Sequence, residues 1–178
     1  MRVTVKSSIP KTRFLPGSFL DRLIGVRPLT SILCRQLEEL LSAARQLSLD
    51  GQLQTYYTFF GLLACTGLRI SEALGLRRDE VDLKQGILTV KESKRRRFRL
   101  VPVHPSALRP LEEYSVKRTK RFPEASFFFV NRCGDRLPYT TVRTTFRKLT
   151  LRLGWVKNGK RPRLHDLRHY PGFRTISG

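Results

Sequence analysis

Ala64-Cys65-Thr66-Gly67-Leu68-Arg69-Ile70-Ser71-Glu72-Ala73-Leu74 is the stretch that decides the fold: an apolar helix stops and a polar one starts within a few residues. Upstream, QLQTYYTFFGLLACTG (52–67) is apolar nearly all round, which predicts a buried central helix. Gly67 ends it, and RISEALGLRRDEV (69–81) reads as a third, shorter helix. Arg69 therefore stands at the mouth of a helix, from which its guanidinium can project into a cleft. A phosphodiester calls for planar, always-charged donors against two non-bridging oxygens, and arginine supplies them bidentately. The plainer reading pairs Arg69 with Glu72 as a surface i,i+3 couple. Glu72 is structural in either case.

Working outward, SILCRQLEELLSAARQL (31–47) sets Ile32, Leu33, Leu37, Leu40, Leu41 and Ala44 on one face of an amphipathic helix capped by Thr30. Residues 1–29 hold Pro10, Pro16 and Pro28 and no period; they read as an arm or linker remnant before a domain spanning 30–178. Beyond Asp82 the pattern changes. ILTVKE and FRLVPV are β-rich runs joined by a basic turn, Ser93 to Arg97, which predicts an antiparallel hairpin. Ser106 caps a helix running to about Lys120, with Pro110 near its start. SFFFVN reads as a short strand, TVRTTFRKLTLRL as a helix opened by Thr140 or Thr141 and ended by Gly154, and LHDLRHY as a final helical turn. The expected class is α+β, mainly helical, with a small antiparallel sheet.

Charge narrows the partner. Against 14 Asp and Glu stand 35 Lys and Arg, a formal net charge of +21. A globular chain so basic expects a polyanion, nucleic acid before an anionic membrane surface. Composition alone fits a small RNA-binding protein equally well. Cys34, Cys65 and Cys133 are odd in number and form no C-x-x-C pair, which argues against a disulfide framework and a zinc ribbon. No signal peptide and no run of about 18 apolar residues is found, so a soluble, cytoplasmic protein is expected.

Three boxes then carry a resemblance. Thr66-Gly67-Leu68-Arg69-Ile70-Ser71-Glu72 resembles the T-G-x-R-x-S-E box of tyrosine recombinases, the phage integrase family. Lys94, before Arg99-Leu100-Val101-Pro102-Val103, is similar to that family's β-hairpin lysine. His165-Asp166-Leu167-Arg168-His169 matches its H-x-L-R-H box. The order is the family's, over roughly residues 30–170.

The resemblance implies a DNA breaking-and-rejoining catalytic domain performing metal-free transesterification on double-stranded DNA, with no cofactor. Arg69 and Arg168 would clamp the scissile phosphate, His165 would assist proton transfer, and Lys94 would protonate the leaving 5′ oxygen. A tyrosine would attack to form a 3′-phosphotyrosyl link that conserves the bond energy. No carboxylate cluster suited to Mg²⁺ is seen in the sequence, unlike two-metal nucleases. Taken without the family, a basic turn is a phosphate-attracting tip and a lone H-x-x-R is a weak sign. Arg95, Arg96 and Arg97 of the hairpin, with Lys160, Arg161 and Arg163 of the loop before His165, are the expected backbone contacts to DNA. His169 is expected to pack rather than react.

The reading also expects departures. Tyr170 is the only late tyrosine, two positions from Arg168 and directly before Pro171, which ends helical geometry. The nucleophile and its helices are thus expected to be missing, as after a frameshift or premature stop, leaving the chain inert by itself. An apolar patch against the helix of Phe59 to Ala64 would promote self-association, or association with an intact recombinase on DNA. The rival functions are a non-catalytic DNA-binding accessory or inhibitory module, and an RNA-binding protein whose boxes match by accident.

Overall fold

The computed structural model describes residues 31–47, 54–91, 98–156 and 162–169. The predicted arm, the Thr30 cap, the hairpin turn with Lys94 to Arg97, the loop residues Lys160 and Arg161, and Tyr170 lie outside them. Element order is α1 (Ser31–Gln46), α2 (Thr55–Thr66), α3 (Ile70–Gly75), a 3-10 turn (Arg78–Glu80), β1 (Val81–Asp82), β2 (Ile87–Lys91), β3 (Phe98–Pro102), α4 (Pro105–Arg121), α5 (Tyr139–Arg152) and a second 3-10 turn (Leu164–His169). It is the mainly helical α+β arrangement expected.

α1 buries Leu37, Leu40, Leu41 and Ala44, the helical spacing read from sequence. α2 is the axis of the core, with Thr58 through Cys65 all buried. α1, α3, α4 and the Leu164–His169 turn all pack on it. Phe59 to Ala64 are all buried, so among the described residues the apolar patch expected there is not seen, although Tyr56 and Tyr57 of the same helix are half-buried. Large apolar side chains reach solvent elsewhere, Phe98 and Leu100 of β3 among them. Aromatic rings bridge the layers. Phe129 stands edge-on to Phe59 at 5.1 Å and to Phe128 at 5.0 Å, while Phe60 meets Phe146 at 5.8 Å.

The hairpin is observed, with β2 and β3 antiparallel and Ile87 opposite Pro102 through Lys91 opposite Phe98. A third strand, β1, was not read from the sequence; it joins as the edge, with Val81 opposite Leu88. Two expectations fail together, for one reason. The third helix does not run on to Val81 but stops at Gly75, and SFFFV forms no strand. Instead the segments meet: Phe128 N–H donates to Leu76 O at 2.8 Å, Arg78 N–H donates to Ser126 O at 2.9 Å, and Arg77 bridges Phe127. A helix continuing through Leu76 would need those same backbone groups for itself. The contact is too short to be a strand, and long enough to end the helix.

Arg118 is wholly buried on α4, donating through Nε and Nη2 to Phe127 O and through Nη2 to Ala125 O. It is the pin that fixes this irregular segment beneath α4. Burial lowers its pKa from the ordinary arginine value. Among the described residues no helix is long and apolar enough to cross a membrane.

Candidate active site

Arg69 is positioned by a stop, a start and a carboxylate. Gly67 takes the left-handed backbone (φ 62°), and its N–H donates to Leu63 O at 3.0 Å to close α2. Leu68 is fully buried and anchors the link. Arg69 is then extended (φ −66°, ψ 145°) as the residue preceding α3. Glu72 Oε2 accepts the Arg69 backbone N–H at 2.7 Å, and Glu72 Oε1 accepts Arg69 Nη1 at 2.9 Å. The i,i+3 pair with Glu72 read from the sequence is formed, and the Arg69 side chain remains 58% exposed.

Glu72 also reaches across to the sheet, accepting Arg99 Nη2 at 2.7 Å. Burial would by itself raise the Glu72 carboxyl. The Arg69 N–H and the guanidinium charges of Arg99 and Arg69 outweigh it and hold the group below its ordinary value. The carboxylate is a bracket between the start of α3 and the hairpin. Cys65, near the end of α2, is fully buried and its thiol is pushed up to about 12 by burial, so it stays protonated.

His165 arrives from the far end of the sequence. Asp166 Oδ2 accepts the Arg163 N–H at 2.7 Å and holds the 3-10 turn at its start. In a 3-10 helix positions three apart are eclipsed. Leu164 and Leu167 form one such edge and are buried against α2. That leaves His165 exposed, with position 168 one turn further along the backbone.

Arg69 and His165 line one open cleft of about 380 Å³ with Ile70, Ser71, Leu74, Arg136 and Tyr139. Of the four residues expected to do chemistry, these two are brought together. The side chain of Arg168 lies outside what is described, and so does all of Lys94. Arg163 is exposed at the start of the turn. Two residues of the cleft were missed. Arg136 Nε donates to Leu74 O at 3.0 Å, its guanidinium lies 5.5 Å from the Phe127 ring centre, and Tyr139 opens α5. No local pattern marks either, because only the fold brings the turn before α5 to the mouth of α3.

The chain resembles known proteins in fold and in sequence. It superimposes on the XerH site-specific recombinase solved with its palindromic difH substrate, with a TM-score of 0.62, 19% identity, and coverage of 80% of this chain and 40% of that one. At that identity the likeness speaks for the fold alone, which is that of a tyrosine recombinase catalytic domain. A family model described as Phage integrase family matches residues 31–176. The chain belongs to the phage integrase family.

Relatives agree. The putative integrase/recombinase y4rE of Sinorhizobium fredii is 38% identical over 138 residues, 75% of this chain and 44% of that protein. Tyrosine recombinase XerC of Pseudomonas aeruginosa is 32% identical over 142 residues, 76% of this chain and 45% of that protein. The chain spans less than half the length of each relative.

Proposed function

We propose that this chain supplies the phosphate-binding part of a site-specific DNA recombinase. Arg69 and Arg168 take the scissile phosphodiester, His165 moves a proton, Lys94 serves the leaving 5′ oxygen, and Arg95, Arg96, Arg97, Lys160, Arg161 and Arg163 hold the duplex backbone. One observation carries the reading: Arg69 and His165, 96 positions apart in sequence, line the same cleft. A guanidinium bracketed by Glu72 is pre-organised, so it need not reorder when charge builds on the phosphate oxygens. XerH, which shares the fold, was solved on its own DNA substrate. The net charge of +21 favours the same partner.

Chemistry by these 178 residues alone is a separate matter. Transesterification needs a nucleophile at the cleft, and Tyr170 stands directly before Pro171. We infer that the 178-residue polypeptide binds duplex DNA without cleaving it, and that cleavage needs a tyrosine on helices supplied from further sequence or from a second polypeptide.

The test incubates the chain with a nicked, phosphorothiolate-bearing duplex and looks for a protein–DNA adduct that survives denaturation. Binding without an adduct is expected. An adduct would reject the inertness and assign a nucleophile within the chain, with Tyr139→Phe as the first variant to examine because Tyr139 lines the cleft. The Arg69→Ala variant addresses the site itself. For a recombinase site supplied with a tyrosine-bearing segment, strand transfer should be abolished; for a mere DNA-binding module, only a modest, salt-dependent share of affinity is lost.

A further inference from the structure

We propose that Arg136 is a second phosphate-binding residue, which seats the backbone phosphate next to the one taken by Arg69. The inference rests on the reading of the cleft as a DNA phosphate site and extends it to a second arginine of that cleft. Arg136 lines that cleft together with Arg69 and His165. Its guanidinium is oriented from two sides: Nε donates to Leu74 O at 3.0 Å, and the group lies over the Phe127 ring at 5.5 Å. Leu74 belongs to α3, the helix that Arg69 opens, so both arginines are referenced to one rigid element.

Charge makes the case. A guanidinium carries five N–H donors, and the Leu74 carbonyl takes only one of them. No carboxylate among the described residues pairs with Arg136, and of the cleft's two arginines only Arg69 has one. Its neighbour Asp135 is turned to Asn131, with Oδ2 accepting from Asn131 Nδ2 at 3.4 Å. A fixed cation with spare donors in an open cleft is built for an anion from outside. A duplex presents a run of phosphates along each strand, so one that places a phosphate on Arg69 offers a neighbouring phosphate to a second cation lining the same cleft.

The turn that delivers Arg136 is itself set. Asn131 Oδ1 accepts the N–H groups of Cys133 at 2.8 Å and Asp135 at 3.0 Å, and Asn131 N–H donates to Asp135 O at 2.8 Å. Holding two consecutive phosphates fixes the direction of the strand through the cleft, which one phosphate contact cannot do.

The experiment measures affinity for a labelled duplex over a salt series, with thermal midpoints recorded for every variant. Each phosphate contact contributes about 0.9 to the slope of log affinity against log salt. Arg136→Gln should lower the slope by about 0.9, and Arg136→Lys, which keeps the charge, should restore most of it. Arg132→Gln, at an exposed arginine of the same turn, is the control for loss of a general surface charge. If Arg136→Gln changes the slope no more than Arg132→Gln, the proposal is wrong. If the Gln and Lys variants lose slope alike while their midpoints fall, Arg136 is only a strut between Leu74 and Phe127, and the proposal is equally wrong. Arg69→Gln separates the two layers. A slope change there but none at Arg136 sinks only this inference; no change at Arg69 sinks the reading of the cleft itself.

Discussion

At the scale of single residues, Glu72 does the most for the site without touching a phosphate. It satisfies the Arg69 backbone N–H, the Arg69 guanidinium and the Arg99 guanidinium at once. Its side chain is only 8% exposed, while Arg69 and Arg99 reach solvent, so these charge-assisted bonds are partly screened. Glu72→Gln removes the charge and turns an amide N–H toward one of two arginines. The cost at neutral pH should be about 1–2 kcal/mol, read as a lower midpoint in denaturant. Because the folded carboxyl titrates below its ordinary value, its contribution is present above the unfolded pKa and is lost as pH falls through the folded one. The gap between wild type and Glu72→Gln should therefore be full at pH 7 and close on acidification below the ordinary glutamate range, at about pH 4 and lower. A gap that persists unchanged into strong acid would show that packing, not charge, is what the substitution removes.

At the scale of elements, local pattern and tertiary hydrogen bonding competed. The stop at Gly67 was legible because left-handed backbone is a local demand that glycine meets. The hairpin was legible because β-branched and apolar residues alternate on both sides of a polar turn. The end of α3 and the irregular path of Ser126 to Val130 were not, because each is caused by the other through the Phe128–Leu76 and Arg78–Ser126 bonds. The turn before α5 gives an element-scale prediction. Gly134 has φ 88°, and a Cβ there would lie 2.8 Å from Phe122 Cδ1. Gly134→Ala should cost about 1–2 kcal/mol from backbone strain, with the clash in addition. Since that turn carries Arg136, the variant should also weaken DNA binding, whereas Gly154→Ala, at φ 69° but with nothing within 4 Å, should lose stability alone. Equal binding losses in the two would show that the turn does not serve the cleft.

At the scale of the whole molecule, charge and shape act together. A net charge of +21 attracts any duplex, and the binding it drives weakens steeply with salt. The chain should bind unrelated duplexes with nearly equal affinity, with dissociation constants of about 10⁻⁴–10⁻⁶ M at physiological salt. Titration of two unrelated duplexes at two salt concentrations checks this; affinity indifferent to salt would contradict it. Self-association through α2 is not expected from this fold, since Phe59 to Ala64 are covered from several sides.

The sequence by itself determined the class, the central helix, the hairpin, the basic character and the place of Arg69 and His165 in their boxes. Each depends on residues close together in the chain: apolar periodicity, a glycine stop, a box of fixed spacing. What only the tertiary structure decided depends on residues far apart. Arg99 meets Glu72 across 27 positions and Arg136 meets Leu74 across 62. No local periodicity encodes such pairs, because they exist only once burial around α2 has brought the mouth of α3, the turn before α5 and the Leu164–His169 turn to one cleft.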